Sequence, residues 1–595
     1  MISISIRLCR YTISKRSKHK IQIVSAGIII LYTACINSCI MYTLGINAAF
    51  HDSAACLVQN GVLIAAAEEE RFTHIKHGKR PVPFSAWELP YHAIDYALKT
   101  AGIRLADVDH IAYSFDPDIN TIEVYPGHNE LYRSYIHHAP QQLADGFPHH
   151  LQQRLAGACA NDFTWHFTDH HLAHAASAFF VSPYTEAAVM TIDGRGENVS
   201  TTYYHGVGNE LKKIQEVLIP HSLGLLYEAV TSYLGFLHSS DEYKVMALAS
   251  YGKPVYADVF RKMIQLQGNG LYTIAPYALE ERFGPARLRN APFTEKHFDI
   301  AHSLQKVLEE TVLELITWLH QVTGSENLCL AGGVALNCVM NTVLRDKGPF
   351  KNIWVQPAAG DAGTALGAAL LTDIAARKAT TRNFQMHHAY WGPAYTNEEV
   401  EAFLQWAKLP YRKLNNIAGE TAALLADNKV IGWYQGRMEF GPRALGARSI
   451  LASPLHASMQ ARLNDIKDRE DFRPVAPVVL QEDAGEWFEN ASYSPFMLFV
   501  YNVKPDKADK IPAVRHVDGT ARIQTINREQ HPCYYALIHE FKKLTGVPVL
   551  VNTSFNTRGK PIVCTPRDAV ECFFTSPFDA LVMNSFLLEK EQRTN

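Results

Sequence analysis

Three imidazoles fall within five residues, at His170, His171 and His174, directly after Asp169. His170 and His174 are four apart, so on a helix they stand one turn above each other on the same face. Two neutral imidazoles in that relation can close on one metal ion. A zinc-protease chemistry fails at once, because its general base is a Glu directly after the first histidine, and His171 stands there. The spacing is equally met by an amphipathic helix with incidental histidines. A third ligand is what separates the two readings. Asp169 sits where a helix N-cap belongs, and His171 is left packed or solvated, with no role.

Asp361 is a candidate third ligand. It lies in Ala359-Gly360-Asp361-Ala362-Gly363-Thr364-Ala365-Leu366-Gly367, a Gly-rich strand-to-helix turn. From there it could complete a metal site with His170 and His174 or cap the following helix. A second such turn is Ala331-Gly332-Gly333-Val334-Ala335-Leu336-Asn337. In both, glycines admit a ligand close to the backbone and the next helix offers its N-terminal amides.

Cations recur further on, each beside Gly, Pro or Asn. Arg443 lies in Gly441-Pro442-Arg443-Ala444-Leu445-Gly446, Lys467 and Arg473 in the segment 464–474, and Arg522 ends Asp518-Gly519-Thr520-Ala521-Arg522. Asn552 and Ser554 belong to a polar stretch, Asn552-Thr553-Ser554-Phe555-Asn556. Any one cation fits a surface salt bridge. As a set anchored in turns they make a phosphate pocket, with arginine supplying forked donors and lysine a point charge. Ser240 to Gly252 clusters acid and base before an apolar helix-like run, which taken alone is a solvated helix start.

The elements that must position these groups follow from patterning. Met41 to Asn47 reads as a buried strand; after a turn through His51-Asp52 comes a strand at Ser53 to Gln59. Asn60-Gly61 is a type I′ hairpin signal, and Val62 to Ala67 returns as a third strand. The layout recurs at Ala188 to Ile192, the turn Asp193-Gly194-Arg195-Gly196-Glu197, Val199 to His205 and Leu211 to Ile219. Two copies with an Asp-containing polar turn at the same place predict a duplicated α/β core, each turn suited to close approach of an anion. This resembles the actin, Hsp70 and sugar-kinase class of ATP-binding folds, which lacks a Walker motif; no GxxxxGK[ST] occurs here. The resemblance implies nucleotide contacts at Asp193, Gly194, Gly332, Gly333, Asn337, Gly360 and Gly363. Character changes at Trp391-Gly392-Pro393, which places a boundary near residue 395. A helix (Asn397 to Ala407) and a buried strand (Lys429 to Tyr434) follow.

At 595 residues the chain is too long for one core, so two or more domains are expected. A net charge of −3 excludes an extended nucleic-acid surface. Ten scattered cysteines without a CxxC pair fit a reducing compartment, hence the cytoplasm. Residues 1–40 stand apart: a basic run, Lys15 to Lys20, precedes an apolar run, Ile21 to Ile40, about the length that spans a bilayer. A signal anchor is one reading. A true start at Met41 is preferred, because a buried first strand follows with no linker for a tether.

Gly441-Pro442-Arg443-Ala444-Leu445-Gly446, Phe472-Arg473-Pro474, Glu242-Tyr243-Lys244-Val245-Met246 and Asn552-Thr553-Ser554-Phe555-Asn556 are distinctive. With them the chain from Met41 onward resembles the O-carbamoyltransferase family of nodulation-factor and antibiotic biosynthesis. The resemblance implies an α/β fold, with a duplicated actin/Hsp70/sugar-kinase-like (Kae1-like) domain at 41–395 and a YrdC-like domain at 396–595. In similar enzymes the second domain uses ATP on carbamoyl phosphate, releasing pyrophosphate and forming carbamoyl-adenylate. The first then moves the carbamoyl group to a hydroxyl of a small-molecule acceptor, a sugar or other natural product, and releases AMP.

Residue by residue, the resemblance assigns a divalent metal to His170, His174 and Asp361, with Fe(II) favoured and Mn(II) or Zn(II) open. It makes His51, beside Asp52, the reactive histidine, a general base if its pKa lies near neutrality. Arg443, Lys467, Arg473, Arg522, Asn552 and Ser554 fall to carbamoyl phosphate and ATP. Two other functions fit the first domain alone. A sugar-kinase-like phosphotransferase would yield ADP and leave the cation-rich C-terminal part without a task. An ATP-driven binding or chaperone module would call for a peptide-binding β-module instead. No nucleic-acid partner is expected, membrane contact depends on residues 1–40, and a homodimer is left open. Acceptor choice is expected in loops such as 115–150 and 276–300.

Overall fold

Tyr42–Asn47 (β1) is buried at every position but its first because both its faces are covered, as in the centre of a helix-flanked sheet. The computed structural model describes residues 40–78, 89–119, 133–134, 136–145 and 163–590. The chain divides into two units, Met1–Ile40 and Met41–Asn595. The expected leader lies outside the described residues apart from Ile40, as does most of the 115–150 loop. Among the described residues no helix is long and apolar enough to cross a membrane.

β1 pairs antiparallel with Ala54–Gln59 (β2), which pairs antiparallel with Val62–Glu68 (β3). The β2–β3 turn has φ of 49° at Asn60 and 83° at Gly61, as a type I′ turn requires. On the other side β1 pairs parallel with His110–Tyr113 (β4), and β4 with Thr164–Phe167 (β5). The order is β3-β2-β1-β4-β5. A second sheet is built from Glu186–Ile192 (β6), Val199–Val207 (β7), Glu210–Leu218 (β8), Asn327–Ala331 (β9) and Asn352–Val355 (β10). Its order is β8-β7-β6-β9-β10, again antiparallel through the first three strands and parallel through the last three. Order and sense match strand for strand, so the expected duplicated core is present. The Asp-bearing turn joins first to second strand in each copy.

A third, eight-stranded mixed sheet runs from Arg412–Lys413 to Phe586–Glu589, with Ile431–Tyr434 and Arg448–Ala452 at its centre. It encloses its own apolar core around Trp433, Leu451 and Phe555. The fold is therefore α/β throughout, a duplicated core followed by a further mixed sheet with its own apolar core.

Two helices carry most of the site. The helix His170–Phe179 is nearly all small residues below its histidines, and it packs on the helix Ala362–Arg377. A Cβ added at Gly367 would fall on the carbonyl oxygen of Ala173, and one at Gly45 of β1 on that of Ala365. These contacts set how close the two helices and the first sheet can come. Gly367→Ala is therefore expected to destabilise the protein by about 1–3 kcal/mol through overpacking, read as a lower urea midpoint. Unchanged unfolding would mean that the helices can part without cost.

Candidate active site

Asp169 caps the histidine helix as its position suggested, its Oδ1 accepting from Leu172 N at 2.7 Å. His170 and His174 then share a face, their ring centroids 4.6 Å apart. The close helix crossing carries Asp361 to them. It stands at the N-cap position of Ala362–Arg377 but makes no side-chain capping bond. Its Oδ1 lies 3.6 Å from His170 Nε2 and 3.5 Å from His174 Nε2. Of the two roles open to Asp361, the cap is not the one the geometry uses.

Asp193, expected at the nucleotide, joins the same group. Its Oδ1 accepts from Gly333 N at 2.7 Å, while Oδ2 faces both His170 Nε2 and His174 Nε2 at 3.6 Å. All four side chains are buried, and their candidate ligand atoms lie within 4.8 Å of one another. His170 Nδ1 donates to Ser114 O at 3.1 Å, which leaves Nε2 as a lone pair aimed at the carboxylates. Among the described residues both Nε2 atoms and both Asp361 oxygens lack a hydrogen-bond partner. Lone pairs buried face to face need a cation between them. Donors bonded at about 2.1 Å to one tetrahedral ion stand roughly 3.4 Å apart, close to the spacing found. The residues therefore fit a divalent metal, with Asp193 as a fourth ligand that motif reasoning did not place there.

Where no metal sits between them, a proton on His170 takes the place of the cation facing the carboxylates. Burial opposes a proton on His170, yet Asp361 and Asp193 raise its pKa well above the usual value. Burial likewise opposes charge on Asp193, but the two histidines hold it well below the carboxylate range. His171 turns away from the group; its Nδ1 meets Thr191 Oγ1 at 2.8 Å, and burial with two neighbouring imidazoles keeps it neutral. Of its two open fates it is packed, not solvated.

His51 reaches this group from the first copy. Its Nδ1 is 3.0 Å from Asp52 Oδ2 and 3.7 Å from Asp361 Oδ2, and its ring is 37% exposed, open to an incoming substrate. Burial lowers its pKa, but Asp361 and Asp52 outweigh that and raise it to about 9. That is above the near-neutral value expected, because two carboxylates lie against one ring. Asp52 also binds His77 Nδ1 at 2.7 Å, and His77 Nε2 meets Ser240 Oγ at 3.0 Å. His77 was not among the expected residues; no spacing links it to Asp52. Asp52, Glu70 and His77 form a second group able to hold a metal. Their atoms already satisfy each other, with Glu70 taken by Arg71 at 2.7 Å and by His77 N at 2.6 Å.

The glycine turns surround the metal group. Gly332 has φ 91°, and a Cβ there would strike Ile192 O, so only glycine fits. Gly194 O accepts from Ser222 Oγ at 2.8 Å. Gly360 faces Asp52, and Gly363 starts the helix after Asp361. Asn337 is engaged otherwise. It caps Cys338–Lys347 through Met340 N at 2.9 Å and exchanges amide bonds with Gln305.

The C-terminal cations also gather. Lys467 is 5% exposed, and its ammonium meets only neutral oxygens: Ser554 O at 2.5 Å, Ser554 Oγ at 3.0 Å and Asn556 Oδ1 at 2.7 Å. Burial, then Arg469 and Arg473, pull its pKa well below the usual lysine value. Burial and Arg522 do the same to Arg443, and burial and Arg473 to Arg469. Among the described residues the carboxylate paired with any of these five cations is Glu470, 3.5 Å from Arg473. Arg469 is an addition; in the charge-alternating run from Lys467 to Arg473, sequence does not say which cation is buried. Asn552 binds Ala444 O at 3.2 Å and so holds the Arg443 loop. Arg443 Nη2 in turn touches Leu336 O at 3.5 Å, within the turn whose Gly333 N binds Asp193. One seven-residue turn thus joins the cation pocket to the histidine–aspartate group.

Comparison with known proteins gives two family matches, "Carbamoyltransferase N-terminus" over residues 42–370 and "Carbamoyltransferase C-terminus" over 422–590. The chain is 42% identical to the Synechocystis protein sll1178, covering 92% of this chain and 97% of that one. It is 40% identical to nodulation protein NolNO of Sinorhizobium fredii, over 91% of this chain and 80% of that one. It is 30% identical to nodulation protein U of Rhizobium tropici, over 91% and 95%.

Proposed function

Since the chain belongs to the carbamoyltransferase family, we propose that it carbamoylates a hydroxyl of a small-molecule acceptor in two steps, the first of which consumes ATP. The observation that carries this reading is the cation cluster of buried Lys467 with half-buried Arg443, Arg469 and Arg522, which pairs with no carboxylate among the described residues and is joined by one turn to the histidine–aspartate group.

The stoichiometry closes only if carbamoyl phosphate first loses its phosphate to water. The carbamate so formed attacks the α-phosphorus of ATP, giving carbamoyl-adenylate and pyrophosphate. Charge builds on the phosphate oxygens in this step, and preorganised Arg and Lys neutralise it without reorganisation. Both carbamate and its adenylate are short-lived in water, so a closed path between the sites favours transfer over loss. In the second step the acceptor hydroxyl attacks the carbamoyl carbon and AMP leaves. His51, on the open side of the group, takes the hydroxyl proton in its neutral form, which a metal charge on Asp361 would favour by offsetting the carboxylate that raises its pKa, and Asp52 orients its ring. A divalent cation held by His170, His174, Asp193 and Asp361 would supply Lewis-acid neutralisation of the departing phosphate. Fe(II) is favoured, with Mn(II) and Zn(II) also suited to this donor set. We place the enzyme in the cytoplasm, in keeping with free cysteines such as Cys56 and Cys329.

The test is stoichiometric. With ATP, carbamoyl phosphate and a host metabolite extract, phosphate, pyrophosphate and AMP should appear together with a product heavier by one carbamoyl group. ATP consumption indifferent to carbamoyl phosphate would refute the reading, and ADP as product would point to phosphotransfer instead.

A further inference from the structure

The distinctive stretch Glu242-Tyr243-Lys244-Val245-Met246 has no task in the two steps above. It opens the helix Glu242–Ala249, which belongs to the duplicated core, yet its polar side chains meet the 467–474 segment of the C-terminal part. Lys244 Nζ lies 2.9 Å from Glu470 Oε1 and 3.1 Å from Asp241 Oδ2, and its side chain is 12% exposed. Glu470 Oε2 is 3.5 Å from Arg473 Nη1, and the Arg473 guanidinium lies 4.8 Å over the Tyr243 ring. Tyr251, just after the helix, donates to Phe472 O at 3.2 Å.

Glu470 is thus a carboxylate shared by two cations, and the closer one comes from the other part of the chain. We propose that Lys244 is a positioning residue for Arg473: by holding Glu470 it keeps the Arg473 guanidinium free for an incoming phosphate. Without Lys244, Glu470 has one cationic partner left, in surroundings where a carboxylate does not stay unpaired. It would close on Arg473 as a charge-assisted pair and compete with the anion. The pocket that activates the donor would then depend on contact with the part that performs transfer. This rests on the reading of the cation pocket as the carbamoyl phosphate site.

Carbamoyl phosphate-dependent pyrophosphate release is the assay. Lys244→Met should raise the KM for carbamoyl phosphate about tenfold, the worth of one charged hydrogen bond, with kcat little changed. The decisive variant is Lys244→Met combined with Glu470→Gln. The neutral amide no longer sequesters Arg473, so KM should return to within about threefold of wild type. An unchanged KM in Lys244→Met, or a raised KM that Glu470→Gln does not rescue, overturns the proposal. Thermal-shift titration with pyrophosphate alone separates it from the functional reading. The same weakening and rescue there would sustain the pairing even if wild type released no pyrophosphate, and their absence would remove it even if wild type were active.

Discussion

His170→Ala should slow carbamoyl transfer by about 10²–10³-fold while carbamoyl phosphate-dependent pyrophosphate release continues within about twofold of wild type. The asymmetry follows from placement. His170 lies with His174, Asp193 and Asp361 on one side of the Gly332–Asn337 turn, and the cations proposed to activate the donor lie beyond it. Loss of one ligand from a four-donor group should cost several kcal/mol of charge stabilisation, about 10²–10³-fold in the transfer rate. Asp193→Asn sharpens the test. An amide oxygen can still accept from Gly333 N, so the turn is kept while the charge is lost. If Asp193 is a ligand, metal content measured on the purified protein falls together with transfer. If it only ties the turn, metal content holds. Survival of both half-reactions in His170→Ala would remove the metal group from the mechanism altogether.

How much of this could be read beforehand divides along a physical line. Local periodicity made the strands and the histidine helix legible, because alternation and i, i+4 spacing act within a few residues. Asp361 was legible as a candidate because a Gly-rich turn before a helix restricts where its carboxylate can point. The cation set was legible as a set, since its members recur beside Gly, Pro or Asn in three separate segments. Asp193 as a ligand, His77 behind Asp52 and Lys244 against Glu470 were not. Each depends on two segments meeting across the fold: 193 against 170 and 174, 52 against 77, 244 against 470. No spacing rule relates such pairs. Asn337 carries a second, local demand on its side chain. Its place in a Gly-rich turn suits a nucleotide contact, but the helix it precedes takes its side chain as a cap.

Lys467→Met should lower pyrophosphate formation by about 10²–10³-fold, the effect of removing one preorganised donor from developing charge. It should at the same time make the ligand-free protein more stable. Lys467 is buried among neutral oxygens and near other cations, so the free protein bears a desolvated, repelled charge that an apolar side chain of similar length relieves. A gain of about 1–3 kcal/mol is expected. The pH dependence fixes the sign. A lysine whose folded pKa is depressed binds fewer protons folded than unfolded, so stability rises with pH between that depressed value and the ordinary lysine value of about 10.4. Wild type should therefore gain stability on going from neutral toward alkaline pH, and Lys467→Met should lack that share of the slope. Pyrophosphate should reverse the ranking by stabilising wild type far more than the variant, since only wild type gains a partner for its buried charge. Urea unfolding at two pH values, with and without pyrophosphate, reads all three effects. A variant less stable than wild type under every condition would mean that Lys467 holds the Ser554–Asn556 turn together and does not wait for an anion.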